Sequence, residues 1–518
     1  MKNGLVSLFL LFVPICFCLN EVNGNVRPNF IVILVDDMGY SDIGCMGSEI
    51  ETPNLDSLAE DGLLFTNLYN TARCCPTRAS LLTGLYSHAA GVGHMDSDKG
   101  YPSYQGFLGR DTVTIAEVLG NNGYRTILSG KWHLGGAREY WPDRRGFQRF
   151  YGIPKGGGLY FYPSRFIDRE IYRNGVHVEP TDPDYYTTDA FTEEALLFIE
   201  ESKNDDQPFF LYMAYVAPHY PLQAHEWDVE KYLGTYEVGY EAIRQARFEK
   251  QKAMGIVKAN TELSPILDVD SSDDPKTMDR KMAVYAAQVD SLDQNVGKLV
   301  SGLKAMGLFE NTAILFMSDN GAVSAEVDWE LDGGPRGRIG TNESFVSYGK
   351  HWANVSNTPF RKYKAQTHEG GIASPLILHW PKGVRNEGRK TDSMIHVIDV
   401  MPTLLELAGV GYPETFSGND IRAVHGKSFA KLIKGKALSE KRQYFWEHEG
   451  NCGVREGDLK AVKLHKGVWE LYDMSIDPTE LDDLADVRPE TLSRLRRAYR
   501  HWTEVNGLKA WPVTVEKD

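Results

Sequence analysis

Four apolar runs of strand length each stop at polar residues able to do chemistry, and that punctuation restricts the folds open to the chain. Residues 30–35 run into Asp36 and Asp37, 126–128 lead to Lys131 and His133, 209–216 lead to His219, and 313–317 lead to Asp319 and Asn320. Near-continuous apolar strands predict a sheet buried on both faces. In open α/β sheets, ligands gather beyond the carboxyl ends of the strands, where these polar residues fall.

Helical patterns lie between the runs. Residues 52–60 begin with Thr-Pro and stop before Gly62, which reads as a short helix. Over 281–306, Met282, Tyr285, Val289, Leu292, Val296, Leu299 and Leu303 recur at three- and four-residue spacing, the stripe of a helix packed on a sheet. Residues 223–276 read as a polar, irregular insertion, and 332–357 as a loop rich in Gly, Ser and Asn. Insertions of this kind form the rim of a site. Beyond residue 412 the pattern changes to short strands at 443–446, 459–464 and 468–472, then a helix over 489–505. The expected organisation is a leader over 1–24, an α/β catalytic domain over 25–412 and a small α+β subdomain over 413–518.

The leader is read from Lys2 followed by an apolar stretch over 5–18, too short to span a bilayer. Export to a periplasm or to the medium is the expectation. Cys16 and Cys18 lack the small residue that precedes a bacterial lipoprotein cysteine, so a lipid anchor is disfavoured. No later segment is long and apolar enough to cross a membrane. Without the leader the cysteines are Cys45, Cys74, Cys75 and Cys452, too few for disulfides to dominate stability, with a Cys45–Cys452 bridge left open. The formal charge of −15 over 518 residues excludes a nucleic-acid binder that works through a broad basic surface. An anionic substrate therefore requires positive charge gathered locally.

Asp36, Asp37, Asp319 and Asn320 supply hard oxygen donors, suited to calcium or magnesium and not to zinc. Each pair alone also serves as an ordinary turn or cap. Residues 73–84, RCCPTRASLLTG, place Cys74 just before a helix that Pro76 favours and Gly84 ends. There the free N–H groups and the positive end of the dipole favour an anion, and Arg78 adds a cation whose donors match a tetrahedral oxyanion.

Cys74-Cys75-Pro76-Thr77-Arg78, with Leu81, Thr83 and Gly84, resembles the C-x-P-S/T-R-x-x-L-x-T-G signature of the formylglycine-dependent sulfatases, type I sulfatases of the alkaline phosphatase superfamily. Thr77 stands where many relatives have Ser. Further similarities are Lys131-Trp132-His133-Leu134-Gly135 to the family's G-K-W-H-L-G, Ala217-Pro218-His219 to A-P-H, and Ser318-Asp319-Asn320-Gly321 to S-D-N-G. Lys364, ahead of Thr367-His368-Glu369-Gly370-Gly371, matches the lysine before the family's E-G-G turn, in the form seen in secreted bacterial arylsulfatases. The resemblance runs from Pro28 nearly to the C-terminus and implies a central mixed sheet flanked by helices.

It also implies an activity: hydrolysis of sulfate monoesters, with Cys74 oxidised to formylglycine (3-oxoalanine) by a separate maturation enzyme and Cys75 a bystander. One Ca2+ per chain would be held by Asp36, Asp37, Asp319, Asn320 and the modified Cys74. Arg78, Lys131 and Lys364 would offset charge on the sulfuryl oxygens. His219, with Lys364 near it, would protonate the leaving alcohol, and His133 would take a proton during sulfate release. The hydrated aldehyde carries two hydroxyls on one carbon, one to attack sulfur and one to expel sulfate. Expected substrates are an aryl sulfate or a sulfated polysaccharide or oligosaccharide, algal or host, with Glu447, His448 and Arg455 as candidate sugar contacts.

Three other readings compete. A phosphodiesterase or phosphonate monoester hydrolase of the same superfamily uses similar parts. A non-catalytic glycan-binding descendant would have lost some of the charged residues, and none is missing. A redox or soft-metal site at Cys74-Cys75 would leave Arg78 without a task.

Overall fold

A computed structural model describes residues 27–157, 160–162, 169–201, 203, 207–265, 274–329, 337–384, 388–438 and 442–514. The expected leader, with Cys16 and Cys18, lies outside the described residues. Each of the four apolar runs forms a strand: β1 (Asn29–Val35), β3 (Arg125–Lys131), β7 (Phe209–Ala214) and β8 (Thr312–Ser318). They belong to an eleven-stranded mixed sheet with β2 (Leu63–Tyr69), β4 (Arg149–Ile153), β5 (Ile171–Arg173) and β6 (Val176–Val178). From one edge the order is Arg389–Thr391, β2, Ala373–His379, β8, β1, β7, β3, β4, β5, β6; Ile395–His396 also pairs with β2. β8, β1, β7, β3 and β4 run parallel, whereas Ala373–His379 is antiparallel to both β8 and β2.

The two-period of a strand explains why these runs are apolar throughout. In β1, Ile31, Ile33 and Val35 enter the core on one face, while Phe30, Val32 and Leu34 enter the core on the other. The predicted helices take opposite faces. α1 (Pro53–Glu60) and the long α7 (Pro275–Ala305) bury Leu55, Leu58 and the full Met282-to-Leu303 stripe in the first core. α2 (Cys74–Thr83) buries Cys75, Ala79, Leu81 and Leu82 in the second. α7 begins earlier than its stripe predicts, because Asp274 accepts bonds from the Lys276 and Thr277 amides (3.0 and 3.1 Å) and Pro275 occupies the first turn.

The insertion over 223–276 is not irregular. It contains α5 (Glu226–Val229) and α6 (Tyr240–Ala253), with α3 (Ile115–Asn121) and α4 (Thr187–Glu201) preceding them in the chain. α6 is polar by composition, yet Arg247 reaches Asp42 (2.7 Å) and Glu49 (2.8 Å) and Arg244 is buried on Ser264. The Arg247 ion pairs and the Arg244 hydrogen bonds dock it beside only two buried apolar residues, Ile243 and Phe248, so hydrophobic periodicity gives little sign of it. Part of 332–357 is likewise ordered, as the helix Gly349–Ser356 with Trp352 buried; residues 266–273 and 332–336 lie outside the described residues.

The C-terminal part forms a four-stranded antiparallel sheet, Gln443–His448, Asn451–Glu456, Leu459–Lys463 and Glu470–Asp473, followed by the helix Pro489–Val505. The sequence reading missed Asn451–Glu456, a strand with Asn, Cys and Gly in its first half, which hydrogen bonding on both sides holds extended. Phe429, Leu432 and Ile433 pack in the core of the large sheet. Cys45, Cys74, Cys75 and Cys452 are all free, so the Cys45–Cys452 bridge is not formed. Among the described residues no helix is long and apolar enough to cross a membrane.

Candidate active site

Hydrogen bonds between neighbouring loops lock the parallel strand ends together. The Asp319 amide donates to the Val35 carbonyl (3.0 Å) and the Asp36 amide to the Ala217 carbonyl (3.1 Å). The Gly321 amide donates to the Gly371 carbonyl (3.1 Å), and a Cβ on Gly321 would collide with the Gly370 carbonyl oxygen. Only glycine therefore lets the Ser318–Gly321 turn and the Glu369–Gly371 turn lie back to back. Asp37 and His133 adopt left-handed backbone conformations (φ 65° and 60°), each costing on the order of 1–2 kcal/mol that surrounding structure must offset.

Cys74 is the first residue of α2, and Arg73 before it is extended (φ −152°, ψ 149°), with no side chain capping the helix. The first N–H groups are therefore uncapped, and the positive end of the helix dipole lies at Cys74. Gly84 ends the helix in the left-handed conformation its φ of 69° requires. One turn after Cys74, the Arg78 guanidinium donates to Asp319 Oδ2 (2.9 Å) and to the Lys131 carbonyl (3.1 Å), with Asp36 Oδ2 at 3.5 Å. The Lys131 ammonium rests on Asp36 Oδ2 and that of Lys364 on Asp37 Oδ1. The Asn320 amide nitrogen donates to Asp37 Oδ1 (2.7 Å), and Asp319 Oδ1 accepts from the Asp37 amide (3.3 Å).

The cations and amides engage one oxygen each of Asp36 and Asp37 and both of Asp319, and leave three oxygens of the set without a partner. Asp36 Oδ1, Asp37 Oδ2 and Asn320 Oδ1 are buried and accept no hydrogen bond. Unpaired buried oxygens of this kind are costly unless something else binds them. Oxygens of Asp36 and Asp37 and a nitrogen of His219 lie within 4.8 Å of one another, and His219 Nε2 is 3.4 Å from Asp37 Oδ2. The donors are hard oxygens with a deficit of hydrogen bonds, which fits a bound Ca2+ or Mg2+. Asp36, Asp37 and Asp319 are matched one for one by Arg78, Lys131 and Lys364, so a dication would give the pocket the net positive charge an anionic ester needs.

The field acts on the side chains accordingly. The Cys74 thiol is held well below its ordinary range, chiefly by a hydrogen bond from Cys75, with Lys364, Lys131 and His133 adding to it against the effect of burial. Burial, with Cys74 beside it, drives Cys75 in the opposite direction. Burial would raise Asp36, but Lys131, His219 and Arg78 overcome it and hold the carboxyl below its usual range. Asp319 is pushed up by burial and by Asp36. Burial lowers both His219 and His133, opposed at His219 by Asp37 and reinforced at His133 by Lys131. The Tyr220 carbonyl accepts from His219 Nδ1, which turns Nε2 toward the pocket.

The structure thus gathers Asp36, Asp37, Cys74, Arg78, Lys131, His133, His219, Asp319, Asn320 and Lys364 around one pocket. Cys74, Cys75 and His133 also place three soft donor atoms within 4.8 Å of one another. The ammonium groups of Lys131 and Lys364 act on the same thiol, a field that favours an anion and opposes a soft cation.

Sequence reasoning did not pick out Arg73, whose guanidinium responds to the charges of Cys74, Glu449 and Asp37. Its extended backbone at the helix entrance, and not any spacing, brings it there. Of the candidate sugar contacts, Glu447 bonds His88 (2.8 Å), and Arg455 donates to the Tyr69 hydroxyl and the Gly457 carbonyl. Those two are committed to internal partners. His448 is buried, and its charge environment includes Arg73 and Cys74.

A mixed sheet of this topology, with acidic, cationic and nucleophilic groups at the carboxyl ends of its parallel strands, is the architecture of the type I sulfatases of the alkaline phosphatase superfamily. The sulfatase family model matches residues 28–410, and the chain belongs to that family as a sulfuric ester hydrolase. A second model, the N-sulphoglucosamine sulphohydrolase C-terminal region, matches 362–497. An uncharacterized sulfatase of Schizosaccharomyces pombe is 34% identical over 95% of this chain and 96% of its own. The arylsulfatase of Klebsiella aerogenes is 34% identical over 80% of this chain and 94% of its own. Among solved structures, Ps i-CgsB in complex with k-i-k-neocarrahexaose superposes with a TM-score of 0.69 at 27% identity, covering 95% of this chain and all of that one.

Proposed function

We propose that this sulfatase hydrolyses sulfate monoesters of a carbohydrate through a formylglycine formed at Cys74, with Ca2+ held by Asp36, Asp37, Asp319, Asn320 and the modified residue 74. The observation that carries the reading is the set of three unpartnered buried oxygens, on Asp36, Asp37 and Asn320, next to a cation-ringed residue at a helix N-terminus. A dication held by those oxygens would supply Lewis-acid polarisation of the sulfate group and would make the attacking hydroxyl more acidic.

The remaining work falls to the chain's own side chains. Arg78 presents a planar fork that Asp319 and the Lys131 carbonyl hold in place, so its charge is aimed before substrate arrives. Lys131 and Lys364, each seated on a carboxylate, offset charge on the sulfuryl oxygens. His219, whose Nδ1–H is held by the Tyr220 carbonyl so that Nε2 faces the pocket and Asp37, is placed with Lys364 beside it to deliver a proton from Nε2 to the departing alcohol when the ring is in its protonated, imidazolium form. His133 beside Cys74 is placed to take a proton as sulfate leaves. Maturation requires a formylglycine-generating enzyme, and export to a periplasm or the medium goes with the leader-like residues 1–24. The oligosaccharide bound to the Ps i-CgsB neighbour supports a sulfated oligosaccharide or polysaccharide as substrate and polysaccharide degradation as the setting.

The test is expression with a maturation enzyme, peptide mass spectrometry, and turnover of 4-nitrophenyl sulfate against a bis-aryl phosphate. The expected result is an aldehyde at position 74, an intact Cys75 and preference for the sulfate. Active protein that retains both sulfurs, or that prefers the phosphate diester, would refute the reading. A panel of defined sulfated oligosaccharides read by sulfate release then identifies the sugar; turnover of small aryl sulfates alone would remove the carbohydrate assignment.

A further inference from the structure

A second cluster of donor atoms lies beside the pocket and has no part in the chemistry above. His94 comes from the loop after α2, and His448 and Glu449 from the turn that joins Gln443–His448 to Asn451–Glu456. His94 Nε2 is 3.0 Å from Glu449 Oε1, and His448 Nε2 is 3.6 Å from the same oxygen. One ligand atom from each of the three residues can be chosen so that all lie within 4.8 Å. The imidazole rings of His94 and His448 stack with centroids 5.5 Å apart and planes 11° from parallel.

The His94–Glu449 contact is a hydrogen bond, and an ion would take the place of its proton; the spacing of both contacts also matches a coordination shell. A zinc ion with ligands at about 2.0–2.1 Å in tetrahedral array separates neighbouring ligands by roughly 3.3 Å, which 3.0 and 3.6 Å bracket. His448 is fully buried, and neither of its ring nitrogens has a hydrogen-bond partner. An imidazole with two orphaned nitrogens inside a protein is unusual and calls for a ligand. Glu449 is held in place by a left-handed backbone (φ 52°), and Asn451 pins the same turn by donating to the Ala365 and His448 carbonyls (2.9 and 3.0 Å). The His94 and Glu449 side chains are 14% and 33% exposed, which leaves an approach from solvent and room for a further ligand.

We propose that His94, His448 and Glu449 form a second metal site, selective for a zinc-class divalent transition ion and separate from the oxygen site of Asp36 and Asp37. Two imidazoles and one carboxylate suit Zn2+, Co2+ or Ni2+, whereas Ca2+ and Mg2+ prefer the all-oxygen set. Neither His94 Nδ1 nor His448 Nδ1 has a hydrogen-bonded partner to orient it, so the affinity falls below that of sites with such support. The nearby Arg73 charge lowers it further.

The test titrates the full-length, calcium-saturated enzyme with Co2+ and follows the visible ligand-field absorption, in the native protein and in His94→Ala, Glu449→Gln and His448→Ala. The expected result is one equivalent of tetrahedral cobalt, displaced by Zn2+, with affinity at least 10-fold weaker in each variant. His448 is buried and its variant can fail to fold; His94→Ala and Glu449→Gln, at partly exposed positions, carry the test without it. Unchanged cobalt affinity in those two overturns the proposal, as does a spectrum with no tetrahedral cobalt. A sulfur-to-cobalt charge-transfer band would put the ion on Cys74, Cys75 and His133 and count equally against it. The readout is metal binding, so the result is independent of the activity assigned above.

Discussion

Replacing Lys460 by Met should test how firmly the C-terminal sheet is tied to the catalytic turn. The Lys460 ammonium is fully buried between Glu369 Oε1 (2.6 Å) and Glu480 Oε1 (2.7 Å), whose side chains are 3% and 0% exposed. Glu369 opens the turn that backs onto the Ser318–Gly321 loop, and its amide donates to Glu480 Oε2 (3.0 Å). Methionine keeps the bulk and removes the charge, leaving two carboxylates without their cation. Breaking a buried pair on one side costs about 3–5 kcal/mol. The Tyr69 hydroxyl on Glu369 (2.8 Å) remains, which favours the lower half of that range.

The loss must also depend on pH. In the native protein burial would raise Glu480, but Lys460 and His368 hold it below its usual 4.5, so it contributes stability above that pH. Without Lys460, burial raises it instead, and the variant loses stability as pH climbs from about 4.5 through the raised value, at about 1.4 kcal/mol per pH unit for each proton. Urea unfolding followed by tryptophan fluorescence at pH 5 and pH 8 measures both effects. A deficit below about 1 kcal/mol at pH 8, or the same deficit at both values, would refute the account of a buried, charge-dependent joint.

Further outcomes follow from other parts of the structure. Arg78→Lys cannot bond both Asp319 and the Lys131 carbonyl, and kcat should fall roughly 10²- to 10³-fold with an aryl sulfate, the size of losing one preorganised donor. Chelation should abolish sulfate release and lower the melting temperature, and Ca2+ at 100 times its Kd should restore about 2.7 kcal/mol; recovery with Zn2+ but not with Ca2+ or Mg2+ would contradict the hard-oxygen site. Burial, with Arg442 near it, holds His396 down to about 3, so the folded state refuses a proton that the unfolded chain accepts below about 6.5. Stability contributed by neutral His396 is therefore present above pH 6.5 and lost toward pH 3. His396→Asn, which keeps an acceptor for the Ile398 amide, should flatten the acid limb by about 1.4 kcal/mol per pH unit in urea titrations.

The sequence by itself determined the parts of this protein that depend on local pattern. Unbroken apolar runs specified strands buried on both faces, the Met282-to-Leu303 spacing specified a helix on the sheet, and a proline in the first turn with a glycine stop specified α2. The polar residues closing each run marked the site, because loops at strand ends are where a parallel sheet exposes its chemistry. What depends on contacts between distant segments was not legible. α6 docks largely through the buried polar side chains Arg244 and Arg247, which carry no hydrophobic signal, and Asn451–Glu456 is a strand because both neighbours hydrogen-bond it. The division of Asp36 and Asp37 into one oxygen that holds a cation and one left free, and the meeting of His94 with His448 and Glu449, arise only when loops hundreds of residues apart close on one another. Sequence names residue types and local conformation; burial, which decides whether a charge is paired, shifted or open to a ligand, belongs to the packed chain.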